Sequence, residues 1–157
     1  MLTARLHAVA FFIAAQSMFA APSSMAAEPE VASESVVLRP YSSALKEARL
    51  RDRNVLLVFN SPFCYFCRAL EHLFFTNPVG IRLINGSYVP VAFVLKNDES
   101  DPTPVTREAR SVAKRLGVYH VPQVVVLSPG GAEIGRFGWS SREEVLLNLR
   151  RHSAVVH

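Results

Sequence analysis

The sequence predicts an α/β domain: a mixed sheet of about four strands flanked by helices. Apolar runs of strand length at 55–59, 89–95 and 123–127 alternate with stretches whose apolar residues recur at helical spacing. The first run, VLLVF, is continuous, as expected of a strand buried on both faces. Pro129-Gly130-Gly131 then turns the third run into 133–137, adding an antiparallel hairpin to connections that otherwise read as crossovers.

Taken in order, residues 27–40 mix Glu, Pro, Ala and Ser and read as a flexible leader. A helix is expected over 42–53, capped by Ser42 or Ser43, with Leu45 and Ala48 on one side. Asn60-Ser61-Pro62 breaks the first strand. Phe63, Cys67, Leu70 and Phe74 then recur at intervals of four, three and four and share one helical face, which puts Cys64 in the first turn. Thr76-Asn77-Pro78 stops that helix and opens another, with Asn77 as cap, Pro78 at the first position and Gly86 as its expected end. The second strand gives way to a polar run, 96–102, read as solvated surface. Thr103 and Pro104 open a helix whose Val105, Ala109, Val112 and Leu116 form one stripe ending at Gly117. After the hairpin, Ser140 and Ser141 stand three residues before Glu143 and Glu144, a doubled capping-box pattern for a last helix through Arg151. Residues 152–157 read as a tail.

A chain of 157 residues suits one core, and no internal repeat or second domain is visible. The first 26 residues stand apart from that core. Arg5 supplies positive charge, 8–21 is mostly apolar, and Ser24-Met25-Ala26 places small residues where a signal peptidase reads, so a secretory signal cut after Ala26 is expected, with Ala27 as the alternative position. An apolar stretch of roughly 14 residues is short for a membrane span, which takes roughly 20. Its removal takes away Arg5 alone, so the formal charge falls from +4 to +3. Basic residues are dispersed among acids, so nucleic-acid binding is not indicated.

The chain has two cysteines, Cys64 and Cys67, in FNSPFCYFCRALEHLFF. They can be a redox pair, half of a metal site or a structural clip. In an exported protein a cysteine pair can persist as a disulfide, whereas a cytosolic pair points to metal or transient catalysis. A bridge closing so short a loop removes little chain entropy, which weakens the clip reading and favours reactivity. A thiol attacks as its thiolate, and a helix N-terminus favours negative charge. One turn of spacing lets Cys67 reach Cys64, so a mixed disulfide formed at Cys64 can be resolved by Cys67.

The stretch resembles the active site of the thioredoxin superfamily: a buried strand, an aromatic residue, Cys-x-x-Cys and a basic residue, here 55–59 and then Phe63-Cys64-Tyr65-Phe66-Cys67-Arg68. Gly117-Val118-Tyr119-His120-Val121-Pro122-Gln123, before a Val-rich strand and a hairpin, is similar to the family's cis-proline loop. The resemblance covers 41–151. More narrowly, LEHLFFTNPVGIRLINGSYVPVAFVLKND is similar to secreted thioredoxin-like proteins and to the periplasmic domain of membrane thiol reductases. It implies a thioredoxin-like fold and a thiol-disulfide oxidoreductase of the periplasm that serves cell redox homeostasis. It also implies Cys64 and Cys67 as the catalytic pair, Pro122 as the cis-proline lying against them, and Val121 offering its backbone to a substrate peptide. The redox-active disulfide is the only cofactor implied. The partners implied are protein thiols and disulfides, with a membrane thiol reductase as electron donor. No dimerisation segment is visible, so a monomer is expected.

The chain departs from the family pattern at several positions. Tyr65-Phe66 replaces the common Gly-Pro, and Phe63 stands in place of tryptophan. Alignment on the cysteines puts Val58 where the family has a buried aspartate and Phe93 where it has the lysine partner; a joint loss avoids an unpaired buried charge. His120 is a candidate for proton transfer, although the plainer reading is a loop histidine bonded to backbone or water. Glu71 reads as a solvated helix residue, and Arg68 and His72 as helix surface. Trp139 is a candidate for the substrate groove as much as for packing, while Tyr65 is expected to face solvent or a partner and Phe66 to pack inward. With no histidine or lysine between the cysteines, the reading leans toward a reductase. The alternative is a copper- or zinc-binding module using Cys64, Cys67 and His120.

Overall fold

The computed structural model describes residues 35–96 and 103–153. The expected signal (1–26), the first part of the leader, most of the polar loop and the end of the tail lie outside the described residues. Five helices and four strands follow in the order α1 (Tyr41–Arg51), β1 (Asn54–Asn60), α2 (Tyr65–Phe75), α3 (Pro78–Ser87), β2 (Tyr88–Val94), α4 (Pro104–Arg115), β3 (Gln123–Leu127), β4 (Glu133–Phe137) and α5 (Arg142–Arg151) among the described residues. The sheet runs β2-β1-β3-β4, with β1 parallel to β2 and antiparallel to β3, and β3 antiparallel to β4.

Strand alternation explains the layering. Val55, Leu57 and Phe59 point to one face and pack with Ala44 and Ala48 of α1 and Ala109, Val112 and Ala113 of α4. Leu56 and Val58 point to the other, against Leu70, Leu73 and Phe74 of α2, Ile84 of α3, and Val145 and Leu149 of α5. Every residue of β1 is therefore buried.

Several boundaries differ from the sequence reading. Pro40, not Ser42 or Ser43, caps α1: its carbonyl accepts the Ala44 N–H at 2.8 Å, and both serines are exposed inside the helix. Residues 35–40 are held to the domain, since the Arg39 N–H donates to the Pro90 carbonyl and Asn85 donates to the Ser35 carbonyl. Gly86 does not end α3; the helix continues to Ser87 and the Tyr88 N–H closes the final turn on the Ile84 carbonyl. The α4 stripe is rotated from the expected one. Val105 is 71% exposed and Thr106 takes the inward position, its hydroxyl satisfied by the Thr103 carbonyl at 2.9 Å. Gly117 does end α4, with φ +63. At the last helix it is Ser141 whose hydroxyl accepts the Glu144 N–H, at 3.1 Å.

Tyr88, at the start of β2, donates its buried hydroxyl to the Leu149 carbonyl at 2.5 Å and so ties α5 to the sheet. Burial holds this phenol well above its ordinary value. The folded chain keeps the proton where the unfolded chain releases it. Tyr88 therefore contributes fully below about pH 10, and the contribution is lost as pH rises toward the folded value. Tyr88→Phe is expected to cost about 1 kcal/mol near neutral pH. It should also flatten the alkaline fall in stability, read by urea unfolding at about pH 8 and about pH 11.

Candidate active site

Cys64 is the N-cap of α2, one residue before the expected first turn, and its sulfur accepts the Cys67 N–H at 3.1 Å. A cap position normally carries a small oxygen side chain. Here a sulfur occupies it, in line with the helix dipole and against a free amide. The two cysteines form a disulfide with Cα atoms 5.2 Å apart. They differ in access, Cys64 being half-buried and Cys67 only 1% exposed. Phe63 does not share the buried face with Cys67 and Leu70. A turn closed by the Cys64 N–H on the Ser61 carbonyl carries it out before the helix starts, and it is 97% exposed.

Sheet register brings two further segments to this end of the fold. Gln123, the first residue of β3, pairs with Phe59, so Val121 and Pro122 precede β3 at the edge where β1 runs into the cysteines. The Val121–Pro122 peptide is cis; Pro122 is buried and Val121 half-buried. Val121 lies outside the ladder, leaving its backbone groups beyond the last paired residue. Phe137, the last residue of β4, pairs with Val124, which places Gly138 and Trp139 at the same edge. The Gln123 side chain donates to the Phe137 carbonyl at 2.9 Å, and a Cβ on Gly138 would lie 3.1 Å from the Pro122 carbonyl oxygen. The strand end and the proline loop are thus in close contact.

A family profile described as "Thioredoxin-like domain" matches residues 41–151. The chain belongs to this thioredoxin-like family. Among solved structures it resembles a thioredoxin from Thermus thermophilus, with 31% identity over 74% of this chain and 86% of that one, and a TM-score of 0.60. A DsbH oxidoreductase shares 14% identity over 83% of this chain and 96% of its own, with a TM-score of 0.68, and is a likeness of fold. The same holds for spinach chloroplast thioredoxin f, at 16% identity, 77% and 96% coverage, and a TM-score of 0.52. No curated protein matches the chain by sequence. The fold and the Cys-x-x-Cys pair are those of a thiol-disulfide oxidoreductase.

Within this thioredoxin-like frame the departures take on geometry. Val58 is fully buried on the α2 face, and its register partner is Ala92. Phe93 lies on the opposite face, stacked on Phe59 with ring centroids 5.1 Å apart, so Val58 and Phe93 are not a facing pair as the alignment suggested. Phe66 does not pack inward. It is exposed, edge-to-face with the exposed Tyr65 at 5.5 Å. With Phe63 they make three exposed aromatic residues flanking Cys64 in the chain. Trp139 is half-buried and packs against the cluster on the α2 and α5 face. His120 is exposed on the proline loop. Among the described residues no cluster of three His, Cys, Asp or Glu side chains is gathered to hold a metal, and in this form the sulfurs of Cys64 and Cys67 are bonded to each other.

Two polar residues fall outside the sequence reading. Asn60, read as a strand breaker, is the last residue of β1 and is 2% exposed. Its side-chain N–H donates to the Glu71 carboxylate at 2.7 Å, and Glu71, read as solvated, is half-buried. The signal available was parity, because Asn60 is two residues beyond Val58 and so shares its face.

Proposed function

We propose that this protein is an exported thiol-disulfide oxidoreductase of the periplasm that works as a monomer on protein disulfides, chiefly as a reductant. The observation that carries the reading is the Cys64 sulfur at the α2 cap, accepting the Cys67 amide while Cys67 stays buried behind it. In the reduced protein the cap and the helix dipole stabilise a thiolate at Cys64. That thiolate attacks a partner disulfide, one partner sulfur leaves as thiolate, and a mixed disulfide forms at Cys64. Cys67 then attacks the Cys64 sulfur, releasing the second partner thiol and closing the Cys64–Cys67 bond. The pair loses two electrons and the partner gains them. An extended partner segment fits the edge at Val121, whose backbone lies outside the ladder, with Phe63, Tyr65 and Phe66 as apolar contacts and Trp139 at the rim.

Export rests on the signal pattern of the first 26 residues. Among the described residues no helix is long and apolar enough to cross a membrane. A soluble domain oxidised by its substrates needs an electron source, and a membrane thiol reductase is the class that supplies one in that compartment. Equilibration with glutathione tests the direction of flow. A potential nearer roughly −270 mV is expected for a reductant, whereas one nearer roughly −120 mV would overturn that direction in favour of an oxidant. Fractionation of cells expressing the full chain tests export, with a mature N-terminus at Ala27 expected and an uncleaved cytosolic chain overturning it.

A further inference from the structure

Resolution by Cys67 needs a proton acceptor, because Cys67 is buried and a desolvated thiol resists ionisation. Val58 and its partner Ala92 supply no ionisable group behind the pair. We infer that Glu71, held in place by Asn60, takes the proton of Cys67 when Cys67 resolves the mixed disulfide at Cys64; this rests on the exchange reading above.

Four observations converge on the assignment. Glu71 is one helical turn beyond Cys67, at the i, i+4 spacing that makes side chains neighbours on one face. It is half-buried although it is a carboxylate on a surface helix. Among the described residues no ion pair neutralises it; its partner is the neutral amide of Asn60 at 2.7 Å. Finally, the Asn60 oxygen is buried with no hydrogen-bond partner among the described residues. A buried orphan acceptor is costly in a static role. It gains a use if Glu71 changes protonation: the amide donates its N–H to the carboxylate, and after a half-turn offers its oxygen to the carboxylic acid O–H. Asn60 is thus a positioning residue able to serve both states of Glu71.

The step balances. The Cys67 S–H proton passes to the Glu71 carboxylate, directly or through one water, and the Cys67 thiolate attacks the Cys64 sulfur. The Cys64–Cys67 bond forms, the bond from Cys64 to the partner breaks, and the partner leaves as thiolate. Glu71 then returns its proton to solvent or to that thiolate. The other titratable or charged groups at this end are Arg68 and His72 on α2, Lys96 after β2 with Arg110 bonded to its carbonyl, and His120; of these, Arg110 is half-buried and the rest are exposed.

The test uses the reduced full domain and the aromatic disulfide DTNB as probe, in stopped flow. Attack by Cys64 releases one thionitrobenzoate, and resolution by Cys67 releases the second. Glu71→Gln is expected to leave the first release within about twofold and to slow the second by on the order of 100-fold near pH 7. The deficit should shrink as pH rises and Cys67 ionises unaided. Asn60→Ala should slow the second release less, and Glu71→Asp should restore part of it. A second release with wild-type rate and pH profile in Glu71→Gln overturns the inference, as does equal slowing of both releases. Absence of any release from the wild type would instead defeat the exchange reading itself.

Discussion

Cys64→Ser should reduce disulfide exchange to the uncatalysed background, whereas Cys67→Ser should keep the first attack and accumulate a mixed disulfide with the partner. The contrast follows from access and position. Cys64 holds the cap and is reachable, so the attacking thiolate forms there. A serine oxygen at 64 keeps the helix capped, so the variant folds but has no sulfur to exchange. A serine at 67 is equally small and cannot displace a partner from Cys64. The mixed disulfide then waits for an external thiol, and its lifetime lengthens from about seconds toward about hours. Insulin reduction read by turbidity measures the first variant, and intact mass of the trapped species measures the second. Turnover by Cys64→Ser, or trapping through residue 67, would reverse the assigned roles.

Gly80→Ala should be the most damaging change outside the cysteines, with the loss falling on stability. Gly80 is buried in α3, and a Cβ there would run into the backbone carbonyl of Leu73 in α2. Backbone cannot rotate aside as a side chain does, so the two helices must separate. That disturbs Leu70, Leu73, Phe74 and Ile84, which share one cluster under the sheet. A cost of about 3 kcal/mol is expected from such overpacking. The corresponding fall in Tm is on the order of 10 °C. Gly86→Ala in the same helix is the control. Nothing lies within 4 Å of its Cβ, so the better helix former should be neutral or stabilise by about 0.5–1 kcal/mol. Urea unfolding of the pair of variants separates steric conflict from helix propensity.

The strands were legible because β1 is covered on both faces, which writes itself as an uninterrupted apolar run, and because Asn77-Pro78 and Ser141 are local caps that need no tertiary partner. The cysteine pair was legible for the same reason, since its chemistry depends on one helix turn. What escaped depended on contacts distant in sequence. Phe63 fits the α2 spacing by number, but the turn at 61–64 removes it from the helix, and spacing alone cannot report where a helix begins. Val105 lost its inward place to Thr106 because a threonine bonded to its own cap satisfies its hydroxyl, which a hydrophobicity pattern reads as polar. Val58 and Phe93 are separated by the pleat, so an alignment off by one residue puts a partner on the wrong face. Asn60 and Glu71 looked like a breaker and a surface acid because nothing in either segment shows the other.

The central claim is that a sulfur anion is favoured at the α2 cap and not one turn inside. Brief treatment of the reduced protein with iodoacetamide at about pH 6, where ordinary thiols are mostly protonated, followed by peptide mass mapping, tests it most directly. Modification of Cys64 with Cys67 spared is the expected result; modification of Cys67 first, or of neither cysteine faster than a free peptide thiol, would contradict it.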